Sequence, residues 1–329
     1  MNKEFHQSVW NEELEQDWLQ ILALALREDL GSQGDCTTEA LVPEQARGRA
    51  AVVVRDCGVL AGEAAIAAGN VGILPALSGL KWSAGSVGIL PAFSDLKWSS
   101  QAHDGQALAP RQSIGILEGS ARAMLALERP LLNMLGRLSG IASLTRRYVD
   151  AVSGTRSSIY DTRKTTPAWR SLEKYAVRCG GGRNHRAGLF EAVLIKDNHL
   201  ALGAELRPQA AGGYSPAEAV LKARQFLLER WGDAGRQMIV QIEVDTLEQL
   251  DEVLAVGPDL VLLDNMSPAM LREAVARRDA RSAAVELEAS GGIDLGTVRG
   301  VAETGVERIS VGALTHAAVS LDFGLDWVI

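Results

Sequence analysis

From residue 155 onward the chain repeats one pattern: a short apolar run, a polar break, then a stretch with apolar positions three or four apart. The runs are SSIYD (157–161), AVLIK (192–196), MIVQIEV (238–244), LVLLD (260–264), AVELEAS (284–290) and RISVG (308–312). They are short, rich in β-branched residues and bounded by charge, so they read as strands. SPAEAVLKARQFLLERWG, TLEQLDEVLAVG, SPAMLREAVARRD and DLGTVRGVAETG separate them at helical spacing. Apolar strands suit a parallel sheet covered on both faces, and alternating strands and helices predict a parallel sheet or barrel. The stretch 201–237 is long for one barrel connection, and its helical spacing marks it as an elaboration.

The first 150 residues are patterned differently. Residues 12–30 set Leu14, Trp18, Ile21, Leu22, Ala25 and Leu26 on one helical face behind leading acids, with Gly31 as the stop. Val52 to Val54 predict a strand, and residues 103–119 a turn followed by a strand. Residues 120–152 are strongly helical, and Pro130 and Gly140 predict two helices or a kink. Between these elements VGILPALSGLKWS (71–83) recurs as VGILPAFSDLKWS (87–99), differing at two of thirteen positions. One extra copy is no solenoid, which needs at least three units to bury a core. The repeat reads as a local duplication giving a hairpin or surface loop; the functional alternative is a lid or contact surface carrying Trp82 and Trp98.

Composition narrows the class. A length of 329 residues allows two domains or one elaborated domain, and 47% apolar with 22% charged residues gives ample core. The net charge of −8 argues against nucleic acid as the main partner. Cys36, Cys57 and Cys179 form neither a metal spacing nor an even-numbered framework, so a reduced cytoplasmic setting is expected. The polar, acidic N-terminus resembles neither a signal nor a transit peptide. No uninterrupted apolar run approaches the roughly 18 residues of a membrane span.

Against that acidic background, residues 161–200 concentrate Arg163, Lys164, Arg170, Lys174, Arg178, Arg183, His185, Arg186, Lys196 and His199 around a Gly180-Gly181-Gly182 break. The glycines suit close approach by a ligand, and the whole run reads as an anion site. Asp161 to Lys164, Lys196, Glu243, Asp264, Ser290 to Gly292 and Gly312 all fall at the C-terminal ends of predicted strands, the face on which β/α barrels build active sites. Arginine suits planar carboxylates and lysine suits phosphate. Glu243 and Asp264 suit a divalent metal carried by a diphosphate, sugar hydroxyls, or simple neutralisation of the site lysines. Glycines after the last two strands can cradle a phosphate or merely form turns. His185 reads as a general acid or a donor to a carboxylate, His199 as structural, and Cys179 lacks an adjacent base. Phosphate-loop, serine-elbow and zinc motifs are absent from the sequence. The residues alone reach a barrel enzyme acting on a polyanion that includes a phosphate, with a carboxylate substrate.

DTRKTTPAWRSLEKYAVRCGGGRNHR, LIKDNH, IEVDTLEQLDEVL, LLDNMSP, LEASGGI and ISVGALTH closely resemble the quinolinate phosphoribosyltransferase family, from about residue 12 to the C-terminus and most weakly over 66–102. The resemblance implies an α/β fold: an N-terminal α/β sandwich domain (1–129, with 316–329 packing back on it) and an incomplete parallel β/α barrel (130–315). It also implies a homodimer and Mg²⁺. The implied reaction joins quinolinate to 5-phosphoribosyl 1-pyrophosphate, giving nicotinate mononucleotide, pyrophosphate and CO₂. By motif, Arg163, His185 and Arg186 would hold the quinolinate carboxylates, with Thr162 in the binding set and Lys196 bordering both substrates. Lys164 would meet pyrophosphate, Glu243 and Asp264 the ribose hydroxyls and Mg²⁺, and Ser290, Gly291, Gly292 and Gly312 the 5-phosphate. Lys164, Lys196, Glu243 and Asp264 would thus stand at the reacting centre, and Arg129 would reach into the partner's site. Arg170, Lys174, Arg178 and Arg183 are left as helix surface or loop support. Ala168 stands where the family pattern has glycine, which stiffens that loop if the backbone there is left-handed. The competing readings are a barrel paralogue with another acid substrate and an inactive binding homologue.

Overall fold

The computed structural model describes residues 3–68, 95–204 and 214–328. The first copy of the duplication and most of the second lie outside them, as do residues 205–213. The chain forms two compact units, one of residues 8–146, 165–181 and 314–329, the other of residues 1–7, 147–164 and 182–313. Position 129/130 lies inside the helix Ala121–Ala151.

In the first of these units an antiparallel sheet has the order β12 (Phe323–Trp327), β1 (Arg47–Val54), β5 (Ser113–Ser120), β3 (Lys97–Ser100). A separate pair joins β2 (Gly58–Val59) to β4 (Ala107–Leu108). The helix Glu12–Leu30 buries Trp18, Leu22 and Leu26, is capped by the Asn11 side chain accepting from Leu14 N, and ends at Gly31. Ala121–Ala151 runs as one helix through Pro130 and Gly140, where two helices or a kink are expected. Its buried Leu127, Leu131, Leu132, Leu135 and Leu138 give tertiary packing that outweighs the local cost of both residues. Trp98, the described tryptophan of the duplication, is buried, and its Nε1 donates to Glu63 Oε1 at 2.9 Å. It is a core residue, not part of an exposed contact surface.

The other unit is a parallel six-stranded sheet of order β6 (Ser158–Tyr160), β11 (Arg308–Ser310), β10 (Glu286–Ser290), β9 (Leu260–Asp264), β8 (Ile239–Val244), β7 (Ala192–Ile195). The strands β6 and β7 are the two edges of this order. Residues 183–186 lie between them: Arg183 N donates to Ile159 O at 2.8 Å, and Arg186 Nη1 to Ala192 O at 3.0 Å. That is the parallel arrangement predicted from the alternation, in the form of the incomplete β/α barrel that the resemblance implies. Helices begin where the sequence offers caps: Ser215 and Thr246 form capping boxes, and the Ser267 side chain accepts from Met270 N.

Residues 3–7 cross the N-terminal ends of these strands. Phe5 forms a buried cluster with Ala192, Ile239 and Leu260, the first residues of three strands. Glu4 accepts from the Tyr160 hydroxyl, Arg183 and Arg308, and Lys3 pairs with Asp259. Among the described residues no helix is long and apolar enough to cross a membrane.

Candidate active site

Strand side chains alternate between the two faces of a sheet. In β8, Val240, Ile242 and Val244 are buried on one face, while Gln241 and Glu243 share the other. The ladders pair Ser290 with Asp264, Glu243 with Leu262 and Ile195 with Ile242. Period two then puts Lys196, Glu243, Asp264 and Ser290 on a single face at the C-terminal ends of four adjacent strands. The structure thus brings together the predicted rim residues of these strands.

Within that rim Lys196 and Glu243 form an ion pair. Asp264 accepts from Asn265 Nδ2 at 2.7 Å, and Asn265 N donates to Ser290 O at 2.9 Å. Gly291 (φ 93°) leaves no room for a side chain: a Cβ there would stand 2.2 Å from Asn265 Oδ1. The Ser290 to Gly292 turn is therefore locked to the end of β9. Gly312 follows β11 one residue before the short helix Ala313–His316.

The cations divide. Lys164 is exposed, and its backbone N donates to Thr162 Oγ1 at 3.1 Å. Arg186 is only 7% exposed. Burial, and then the neighbouring Arg163, push the Arg186 guanidinium below its ordinary value. The Nε atoms of both arginines are buried without a hydrogen-bond partner. Two neighbouring cations with unfilled donors are an arrangement suited to an anion. His199 is structural, its Nδ1 accepting from Lys196 N at 3.0 Å.

His185 is placed differently from the arginines. It is 6% exposed, and its ring stacks on Phe5 with centroids 4.4 Å apart. Nδ1 accepts from Arg186 N at 2.8 Å, which fixes the neutral ring with its proton on Nε2. Nε2 then donates to Gln241 Oε1 at 3.0 Å, and Gln241 Nε2 donates to Glu288 Oε2 at 3.0 Å. Glu288 is fully buried, and burial raises its carboxyl above the usual range, with Ser310, Arg308 and Gln241 pulling the other way. Asp161, also fully buried, accepts from Asn184 Nδ2 at 2.6 Å and His185 N at 2.8 Å, so it shapes the loop.

Several residues of the basic run are spent on architecture. Gly180 ends the helix Arg170–Cys179, where a Cβ would stand 2.5 Å from Ala142 O; its close approach is to the protein's own helix, not to a ligand. Lys174, expected as helix surface or loop support, is 1% exposed and lies in the interior. Arg183 pairs with Glu4. Arg129 is 68% exposed, with the adjacent Glu128 as its ion-pair partner. Cys179 has its thiol pushed up by burial and by Asp104, the opposite of the shift that activates a nucleophile. Sequence reasoning missed Gln241, Glu288 and the Lys3–Gln7 segment. The first two carried a signal, being polar residues at the same strand parity as Glu243 and Ser290.

The model of the quinolinate phosphoribosyl transferase C-terminal domain matches residues 141–326, and that of the N-terminal domain residues 35–139. The carboxylating nicotinate-nucleotide pyrophosphorylase of Mycobacterium leprae is 40% identical over 92% of this chain and 94% of its own length. The probable enzyme of that name from Bacillus subtilis is 39% identical over 91% and 89%. Among solved structures, the nicotinate-nucleotide pyrophosphorylase of Francisella tularensis is 32% identical with a TM-score of 0.78, covering 95% of this chain and 97% of that one. NadC of Streptococcus pyogenes is 32% identical with a TM-score of 0.77, covering 98% and 100%. With both domain models and relatives along nearly the whole length, the chain belongs to the quinolinate phosphoribosyl transferase family.

Proposed function

We propose that the protein transfers the phosphoribosyl group of 5-phosphoribosyl 1-pyrophosphate to quinolinate with decarboxylation, forming nicotinate mononucleotide. The observation that carries this reading is the pair Arg163 and Arg186, held together with buried, unfilled Nε donors. Such a pair fits a planar dicarboxylate better than a single phosphate, because guanidinium forks bind carboxylates bidentately. Lys196, beside both the arginines and the acids in the motif order, borders the two substrates, and Lys164 meets the diphosphate. Thr162, which accepts from Lys164 N, holds that residue's backbone. Arg129, exposed on its helix, is available to close the site of a partner subunit in a homodimer.

The ring nitrogen of quinolinate forms a bond to ribose C1 as the C1–O bond to diphosphate breaks, the bonding pair leaving with the diphosphate. Positive charge builds on C1, and Glu243 and Asp264 oppose it while holding the ribose hydroxyls. The resulting pyridinium accepts the electron pair released when the adjacent carboxylate leaves as CO₂, and a proton takes its place. The two arginines hold the acid in line throughout, and Ser290 to Gly292 with Gly312 hold the 5-phosphate. Among the described residues no group of three or more His, Cys, Asp or Glu side chains could hold a metal by itself. Glu243 and Asp264 offer hard oxygen donors that fit Mg²⁺ arriving with the diphosphate, and when bound it would neutralise leaving-group charge.

The test is an assay with carboxyl-labelled quinolinate. CO₂ and pyrophosphate should appear in equal amounts, only with both substrates present, and Arg163→Ala should abolish both without unfolding the protein. Turnover of nicotinate in place of quinolinate, or full activity in that variant, would overturn the assignment.

A further inference from the structure

The interiors of parallel barrels are normally filled by layers of branched apolar side chains. Here the layer below the rim contains Gln241, Glu288 and Ser310, all buried. Burying an amide and a carboxyl is costly unless each is hydrogen-bonded, and these are arranged as a chain with one direction. Arg186 N–H donates to His185 Nδ1, His185 Nε2–H to Gln241 Oε1, and Gln241 Nε2–H to Glu288 Oε2. Glu288 Oε1, at 3.6 Å from His185 Nε2, is too far to compete with Gln241 at 3.0 Å.

The opposite side of the imidazole is covered by the Lys3–Gln7 segment. Phe5 stacks on the ring and is itself fixed among Ala192, Ile239 and Leu260. Gln7 bonds Asn184 twice, Nε2 donating to Asn184 O at 3.0 Å and Oε1 accepting from Asn184 N at 2.9 Å. The residues on either side of the His185 amide are therefore tied down independently. Arg186 is left with its main chain held by Nδ1 and one guanidinium nitrogen held by Ala192 O.

We propose that His185 is a positioning residue: caught between Phe5 and the Gln241–Glu288 pair, it fixes Arg186 in the place from which the guanidinium meets the acid substrate. Both ring nitrogens are committed within the protein, so its contribution to the carboxylate clamp passes through the Arg186 backbone. The inference deepens the transferase reading and rests on it.

Gln241→Leu in the full-length protein keeps the volume and removes the acceptor. Expected is a rise of about tenfold in KM for quinolinate, with kcat and KM for the phosphoribosyl donor changed less than about twofold. Phe5→Leu, which still fills the floor but removes the stacked ring, should shift KM in the same selective way. A general structural role would instead lower kcat or raise both KM values together, and that result would overturn the proposal, as would unchanged kinetics. A readout free of activity is the ¹⁵N spectrum of ring-labelled histidine, with His185 assigned by its loss in His185→Gln. The wild-type ring should show an unprotonated Nδ1 and a protonated Nε2; a ring protonated at Nδ1, or averaging between tautomers, sinks the idea even if a variant fails to fold. Absence of quinolinate turnover in the wild type would refute the transferase reading and leave the tautomer result standing separately.

Discussion

Arg186→Lys separates charge from geometry at the proposed carboxylate clamp. The substitution keeps a cation but loses the planar fork, and with it the donation from Nη1 to Ala192 O at 3.0 Å. A hydrogen bond to a charged group is worth about 1.5–3 kcal/mol. Losing one of the two bonds to a substrate carboxylate should therefore weaken quinolinate binding by about 10- to 150-fold, at about 1.4 kcal/mol per factor of ten. Binding should also become pH-dependent. Burial and Arg163 depress the Arg186 guanidinium, yet arginine begins high enough to stay charged. A lysine begins near about 10.4 and is depressed by the same two causes. It is charged below its shifted pKa and neutral above, so affinity should fall further as pH rises from about 7 to about 9. Calorimetric titration of quinolinate across that range, with circular dichroism to verify folding, provides the measurement. A folded variant that binds within about threefold of wild type at every pH would refute the fork, and an equal loss at every pH would refute the placement of Arg163 as a repelling neighbour.

Two further outcomes follow from local geometry. Ala168 has φ 66°, a left-handed conformation that costs an L-residue about 1–2 kcal/mol. Glycine relieves that cost but adds about 0.4–1 kcal/mol of unfolded-chain entropy, so Ala168→Gly should raise stability by about 0.5–1 kcal/mol in urea unfolding; a less stable variant would contradict the strain. Cys36 and Cys57 are exposed, whereas burial and then Asp104 raise the Cys179 thiol. Titration with a chromogenic disulfide at neutral pH should modify two thiols rapidly in the native protein and the third only on unfolding, and rapid loss of all three would show that Cys179 is open.

The barrel was legible because its strands announce themselves twice. LVLLD is the observed strand Leu260–Asp264, and each of the other runs contains its strand with the polar residue at the same end. What could not be read was the partner across space. Lys174 looks like a surface lysine because its helix also carries Arg170, Glu173 and Arg178, yet it is buried. Charge in a helix tells which residues can face water, not which do. The Lys3–Gln7 segment has no periodicity at all, and its role comes from contacts more than 150 residues away in sequence, such as Tyr160 with Glu4. Ala168 shows the converse: the missing glycine pointed to a left-handed position, and the backbone adopts it.

The one parity that identifies the rim also explains how so short a sheet can be both stable and reactive. In β10 the residues of one face are Glu286, Glu288 and Ser290. Glu286 accepts from Arg308 Nε at 2.6 Å near the floor, Glu288 takes the end of the Gln241 chain, and Ser290 O holds the Asn265 turn at the mouth. Each level uses polarity differently, as an ion pair, as a directed hydrogen-bond chain and as an open turn. The lower two are paired within the protein except at Glu288 Oε1, which has no hydrogen-bond partner, as the Nε atoms of Arg163 and Arg186 have none. In the proposed reading the Nε donors of Arg163 and Arg186, which have no internal competitor, are the ones a substrate carboxylate would fill.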